Sequence, residues 1–148
     1  MYEETWSWEK CKGRIRTLRG RMGFPDASAL RFLKLNLSLE DGQIHDELKD
    51  SLTSHIAPSL YCILSGYAET RPIPETRQLI SFEQLSGGHA YHKAFTKRAI
   101  QPLEKVFGSN PSTLYEASKP FKAEKMDYGD CSVKVYSLPL VPLIIVVW

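Results

Sequence analysis

The chain has 148 residues, a formal net charge of +2 at pH 7, 43% apolar residues and 24% charged residues. This length suits one domain burying roughly two thirds of its extended surface, and the composition excludes a disordered or fibrous chain. The charge excludes a general electrostatic field for nucleic acid, so such binding would need a local basic patch.

The first predicted element carries Trp8, Cys11, Ile15, Leu18 and Met22 at intervals of three and four, the apolar stripe of a helix that ends near Gly23. Lys10, Lys12, Arg14, Arg16, Arg19 and Arg21 flank that stripe, where their stems can cover its edges. From Leu30, the residues Leu33, Leu35, Leu37 and Leu39 alternate with polar positions, which predicts a strand over 31–39. Asp41-Gly42 predicts a hairpin turn after it. The pattern Leu48, Leu52, Ile56, Leu60, Leu64 is helical, with Pro58 placed as a first-turn residue of a helix over 58–67 and irregular or separately helical chain before it.

RPIPETRQ is a loop, and LISF at 79–82 reads as a short strand. A helix over 88–107 follows, with Tyr91, Phe95, Ala99, Leu103 and Val106 as its inner face and a kink at Pro102. Asn110 and Pro111 open a short helix through Ala117, Lys119 to Asp127 reads as loop, and Tyr128-Gly129-Asp130 is a turn. CSVKVYSL alternates as a half-buried strand, whereas PLIIVVW is apolar throughout and reads as a central strand. These elements predict one α+β domain over 1–148. Its amphipathic helix occupies 1–24, and an antiparallel sheet of strands near 31–39, 79–82, 131–137 and 142–148 packs against two or three helices.

Cys11, Cys62 and Cys131 are far apart and show no C-x-x-C spacing, which points to free thiols rather than zinc, an iron-sulfur cluster or a redox pair, and no cofactor is expected. The start MYEETWSWEK has no secretory pattern. The apolar run Leu138 to Trp148 is 11 residues, interrupted by Pro139 and Pro142, too short to be a transmembrane segment. A cytoplasmic location is expected. An apolar strand at a chain end needs cover, so either the native chain continues past Trp148 or a protein partner covers Pro142 to Trp148.

ISFEQLSGGHAYHKAF, TKRAIQPLEKVFG and YGDCSVKVYSLPLVPLIIVVW resemble the bacterial and archaeal domain-of-unknown-function family numbered 3786, from about Leu30 to Trp148. The family pattern I-S-F-x-x-L-x-G-G-x-x-Y-x-x-x-F falls on Ser81, Phe82, Leu85, Gly87, Gly88, Tyr91 and Phe95. Its R-x-x-x-P-L falls on Arg98, Pro102 and Leu103, its G-D turn on Gly129 and Asp130, and its terminal tryptophan on Trp148. The resemblance implies a chain that continues past that tryptophan and a context of anaerobic metabolism, near iron-sulfur and one-carbon proteins. The cysteine-rich iron-sulfur module of some relatives is absent here.

The residues bear on four chemistries. His89 and His92, with Glu83 or His45, are too few in register for a metal site. The Gly87-Gly88 helix start gathers backbone N–H groups and the positive end of the helix dipole, which suits an anion, with Lys93, Lys97 and Arg98 further along. The bland alternative is a tight turn that Ser86 caps. No nucleophile motif surrounds Cys131, and Glu3-Glu4 and Asp127 with Asp130 read as solvated carboxylates. The expected function is a non-catalytic accessory module that binds a small ligand or a protein. The tentative anion-binding residues are Gly87, Gly88, Tyr91, Arg98 and Asp130. The alternatives are an enzyme with an anionic-substrate pocket at that helix start, and nucleic-acid or membrane-surface binding through the basic first helix, of which nucleic acid is the less favoured.

Overall fold

The computed structural model describes residues 2–49, 51–52 and 54–148. The expected α+β class is what it shows, with helices and antiparallel sheets both present. The single expected sheet is two sheets. The chain divides into two compact units, Met1–Ile73 with Tyr136–Pro142, and Pro74–Val135 with Leu143–Trp148.

The first unit opens with a helical turn, α1 (Tyr2–Thr5), and continues into α2 (Trp8–Arg16). The predicted stripe is buried through Cys11, Ile15, Leu18 and Met22, but the helix stops seven residues before Gly23. Beyond Arg16 the chain tightens to bonds three residues back, Thr17 N–H to Arg14 O at 3.1 Å and Leu18 N–H to Ile15 O at 3.0 Å. The Thr17 hydroxyl competes for the same Arg14 carbonyl at 2.6 Å. Gly20, Met22 and Gly23 then take positive φ and turn the chain after these tight bonds, while Leu18 and Met22 stay buried.

The predicted strand over 31–39 is a hairpin instead. β1 (Ala29–Phe32) and β2 (Leu35–Ser38) pair antiparallel about Leu33 and Lys34, which have φ of 49° and 60°. Two left-handed residues in a two-residue loop match the twist of the strands, a device that alternation cannot announce when neither residue is Gly or Asn. Leu30 faces Leu37 in the register, and both are fully buried. The Asp41-Gly42 turn does return the chain, with Gly42 at φ 76° leading to β3 (Ile44–Asp46) and β4 (Ser51–Leu52) in the order β1-β2-β3-β4.

The helical pattern read from Leu48 to Ile56 is therefore strand, turn and a 3₁₀ turn at Ser54–Ile56, with Leu48 exposed; the Leu52 side chain lies outside the described residues. Helix α3 (Ala57–Ala68) holds Pro58 in its first turn as expected, and buries Tyr61, Leu64 and Tyr67. These join the core of Cys11, Ile15, Leu18, Leu30, Leu37 and Leu138.

The second unit begins with an exposed segment in which the predicted strand 79–82 does not form. Leu79 and Ile80 are solvent-exposed, and Phe82–Gln84 makes a 3₁₀ turn whose entry Ser81 N–H donates to Gln84 Oε1 at 2.8 Å. Local capping thus satisfies the backbone that a sheet would otherwise have used. The predicted helix over 88–107 is four pieces: a 3₁₀ turn at His89–Tyr91, α4 (His92–Phe95), a π segment at Thr96–Ile100 and α5 (Gln101–Phe107).

Pro102 explains the π segment. Its nitrogen carries no hydrogen to donate to Arg98 O, and Gln101 N–H reaches back five residues to Thr96 O instead. The expected inner face holds in part, since Phe95, Ala99 and Leu103 are half-buried, whereas its two ends are not covered. Tyr91 is 67% exposed and Val106 63%, while Phe107 supplies the packing contact.

Helix α6 (Thr113–Ser118) starts two residues after Pro111, and β5 (Glu124–Met126) lies in chain that had read as loop. β5 pairs antiparallel with β6 (Cys131–Leu138), and β7 (Val141–Val147) follows in the order β5-β6-β7. β7 is thus an edge strand rather than the central strand its apolar run suggested. Pro142, which has no donor to give a neighbour, is compatible with an edge. In this unit Leu114, Cys131, Val133 and Val147 form the core, with Phe107, Tyr115 and Ile145 against it.

Candidate functional site

The Gly-Gly stretch folds into a closed turn. Gly87 has φ 77° with open space where a Cβ would stand, so it is there for backbone conformation. Gly88 is needed for a different reason: a Cβ would come within 2.0 Å of Phe82 O. Its N–H donates to Leu85 O at 2.8 Å, and its carbonyl accepts from Tyr91 N–H at 3.2 Å. The Gly88 amide is thus consumed inside the turn. Ser86, the expected cap, makes no cap bond to the following turn; the polar residues that organise the entry are Ser81 and Gln84.

Two side-chain contacts close the turn from outside. The rings of Phe82 and Phe95 stack at 4.1 Å with 7° between planes. His92 Nδ1 lies 2.6 Å from Glu83 Oε1, and its Nε2 is 3.5 Å from Thr96 Oγ1. His92 therefore serves as a clasp between the 3₁₀ turn and α4. Among the described residues no group of three or more His, Cys, Asp and Glu side chains is placed to hold a metal ion.

Of the tentative anion residues, Gly87, Gly88 and Tyr91 share this turn. Tyr91 projects into solvent, and Arg98 lies in the exposed π segment with no hydrogen bond or ion pair among the described residues. Asp130 opens β6, where its N–H donates to Val147 O at 2.8 Å. No hydrogen bond or ion pair links Arg98 or Asp130 to the Gly-Gly turn among the described residues. Sequence reasoning missed the Phe82–Phe95 stack, and it named Glu83 beside His92 only as a possible co-ligand and not as a direct partner, because these residues are separated by neither a helical nor a strand interval.

The basic flank of α2 is largely engaged within the first unit. Lys12 pairs with Glu9 at 2.6 Å, Arg14 with Glu69 at 3.4 Å and Arg19 with Asp26 at 2.6 Å. Arg16 donates to Leu39 O and Glu40 O, each at 2.8 Å, while Arg21 donates to Thr17 O at 3.1 Å and to Ala68 O. Five of the six cations in the flank thus hold this unit together. Among the described residues no helix is long and apolar enough to cross a membrane.

The helix from His89 to Phe107 has a different surface. Tyr91, Ile100 and Val106 are exposed, and Lys93, Lys97, Arg98 and Lys105 form no ion pair among the described residues. Exposed apolar side chains interspersed with cations that form no ion pair among the described residues are suited to recognition.

Fold and surface together define a small α+β domain with a closed Gly-Gly turn. The chain belongs to the family described as a domain of unknown function, DUF3786, which it matches over residues 23–148. No curated protein matches the chain, and no solved structure does.

Proposed function

We propose that the chain is a non-catalytic protein-binding module whose contact surface is the helical run from His89 to Phe107. The observation that carries this reading is the exposure of Tyr91, Ile100 and Val106 on one run whose four cations are unpaired among the described residues. Covering these side chains with a partner would remove their apolar surface from water, which is favourable. The consumed Gly88 amide favours a protein partner over a small anion at the turn. An accessory role in anaerobic metabolism is part of the proposal and rests on the family resemblance.

The test compares the full chain with the double variant Tyr91→Ser, Val106→Glu. Both proteins are cross-linked in cells, and their partners are quantified by mass spectrometry. Loss of a partner by at least about tenfold in the variant, with unchanged thermal unfolding, supports the reading. An identical partner profile overturns it.

A further inference from the structure

The run from His89 to Phe107 has a regular order that its mixed helix types conceal. Phe95, Ala99, Leu103 and Phe107 recur every four residues and are half-buried, so they form the face turned to the rest of the second unit. At 3.6 residues per turn a spacing of four drifts about 40° at each step, and the wider π turn at Thr96–Ile100 takes up part of that drift. Two residues along a helix is roughly half a turn, which leads to the opposite side. There stand Lys93, Lys97, Gln101 and Lys105, all exposed, in a row about 18 Å long. None of these lysines forms an ion pair among the described residues, whereas Lys12, Arg14 and Arg19 of the first unit each hold a carboxylate. Lys93 and Lys97 are also four apart, a spacing at which like charges repel and weaken a helix.

We infer that the partner of this surface presents an acidic amphipathic helix, whose carboxylates meet the lysine row and whose apolar residues cover Ile100 and Val106. The inference rests on the protein-binding reading above and names the chemistry of its partner. Carboxylates on one face of a helix recur about every 5.4 Å, close to the step of about 6 Å between successive positions of the row. Such a partner would also relieve the repulsion within the row. Ile100 and Val106 are exposed and each lies one residue from a member of the row, so a purely acidic chain would leave them uncovered. Glu104 is the opposing feature, a carboxylate beside Lys105 that weakens the attraction. Nucleic acid fits less well, because the apolar residues flanking the row are aliphatic and offer bases no ring to stack on. A membrane surface fits less well too, because the face opposite the lysines is turned to the protein.

The experiment titrates the full chain, followed by amide NMR, with a peptide of about 15 residues carrying glutamate and leucine at helical spacing. Oligoglutamate of equal charge and oligothymidine serve as competing probes. The amphipathic peptide should bind most tightly, with shifts confined to residues 89–107, and should weaken about tenfold or more between low and physiological salt. Lys93→Gln, Lys97→Gln and Lys105→Gln together should weaken it about tenfold, while Lys10→Gln, Lys49→Gln and Lys122→Gln, the same charge removed elsewhere, should change it less than about twofold. Glu104→Gln should tighten it severalfold, which keeps the test decisive if the lysine variant unfolds. The inference is overturned if the peptide does not bind, if either competitor binds as tightly, or if affinity is indifferent to the lysine row and to Glu104→Gln. Binding lost in Tyr91→Ser, Val106→Glu but kept in the lysine variant would overturn the acidic partner alone and leave the protein-binding reading standing.

Discussion

Phe82 and Phe95 stack face to face at 4.1 Å across the Gly87-Gly88 turn, so the two aromatic residues that bracket SFEQLSGGHAYHKAF meet in space. Both rings are only half-buried, which leaves their mutual contact as a main apolar tie across the turn. A double-mutant cycle with Phe82→Ala and Phe95→Ala, read by urea unfolding, should give a coupling of about 0.5–1.5 kcal/mol. Strict additivity would show that the rings do not depend on each other.

The two glycines should respond to alanine unequally. Gly87→Ala places a Cβ in open space at positive φ and should cost roughly 1–2 kcal/mol. Gly88→Ala drives a Cβ into the Phe82 carbonyl and should cost more than roughly 3 kcal/mol. Denaturant midpoints for the two variants check the order, and a reversal would mean the turn closes differently.

Ser65 is fully buried in α3, and its hydroxyl has no hydrogen-bond partner among the described residues. An unsatisfied buried hydroxyl costs more than the methyl that would replace it. Ser65→Ala should therefore raise stability by about 1 kcal/mol, seen as a higher Tm. A fall in Tm would indicate that the hydroxyl has a partner.

Alkaline pH should destabilise the first unit through its tyrosines. Burial pushes the Tyr61 and Tyr67 hydroxyls above their ordinary value of 10.0, while each donates to a carbonyl, Gly42 O at 2.5 Å and Met22 O at 2.7 Å. For a pKa raised on folding, the contribution is complete below the unfolded value. It is lost as pH rises from about 10 through the folded value, where the unfolded chain releases its proton first. Urea unfolding at pH 8 to 11 should show this decline, and Tyr61→Phe should flatten it. A profile unchanged by that substitution would assign the alkaline loss to other groups.

The legible parts of the fold were those that local chemistry fixes. Pro58 in a first helical turn, the Asp41-Gly42 hairpin and the Cys11–Ile15–Leu18–Met22 stripe each follow from one residue's conformational preference or one periodicity. The hairpin at Leu33–Lys34 was hidden, because a leucine and a lysine at positive φ are held by strand pairing rather than by their own preference. The edge position of β7 was hidden too, since an apolar run carries no information about how many neighbours it has. At the candidate site, the need for Gly88 was readable as a glycine, but its cause, the approach of Phe82 O, is a tertiary distance. His92 and Glu83 could be named together in sequence, but their direct pairing across nine positions is a tertiary distance.

One contact in the first unit has an optical consequence. At Gly42 an added Cβ would lie 2.2 Å from the Trp8 ring, whose other neighbours are Tyr61 at 5.8 Å and Arg16 at 5.4 Å. The indole is thus held against the hairpin backbone, beside a cation and a phenol, while Trp148 stands 84% exposed. Iodide will extinguish the emission of Trp148 first, and the fluorescence that survives will come from the indoles of α2 and its entry. The native chain thus carries a fluorophore seated on the β2–β3 turn, and the seating of that hairpin can be followed in real time with no label attached.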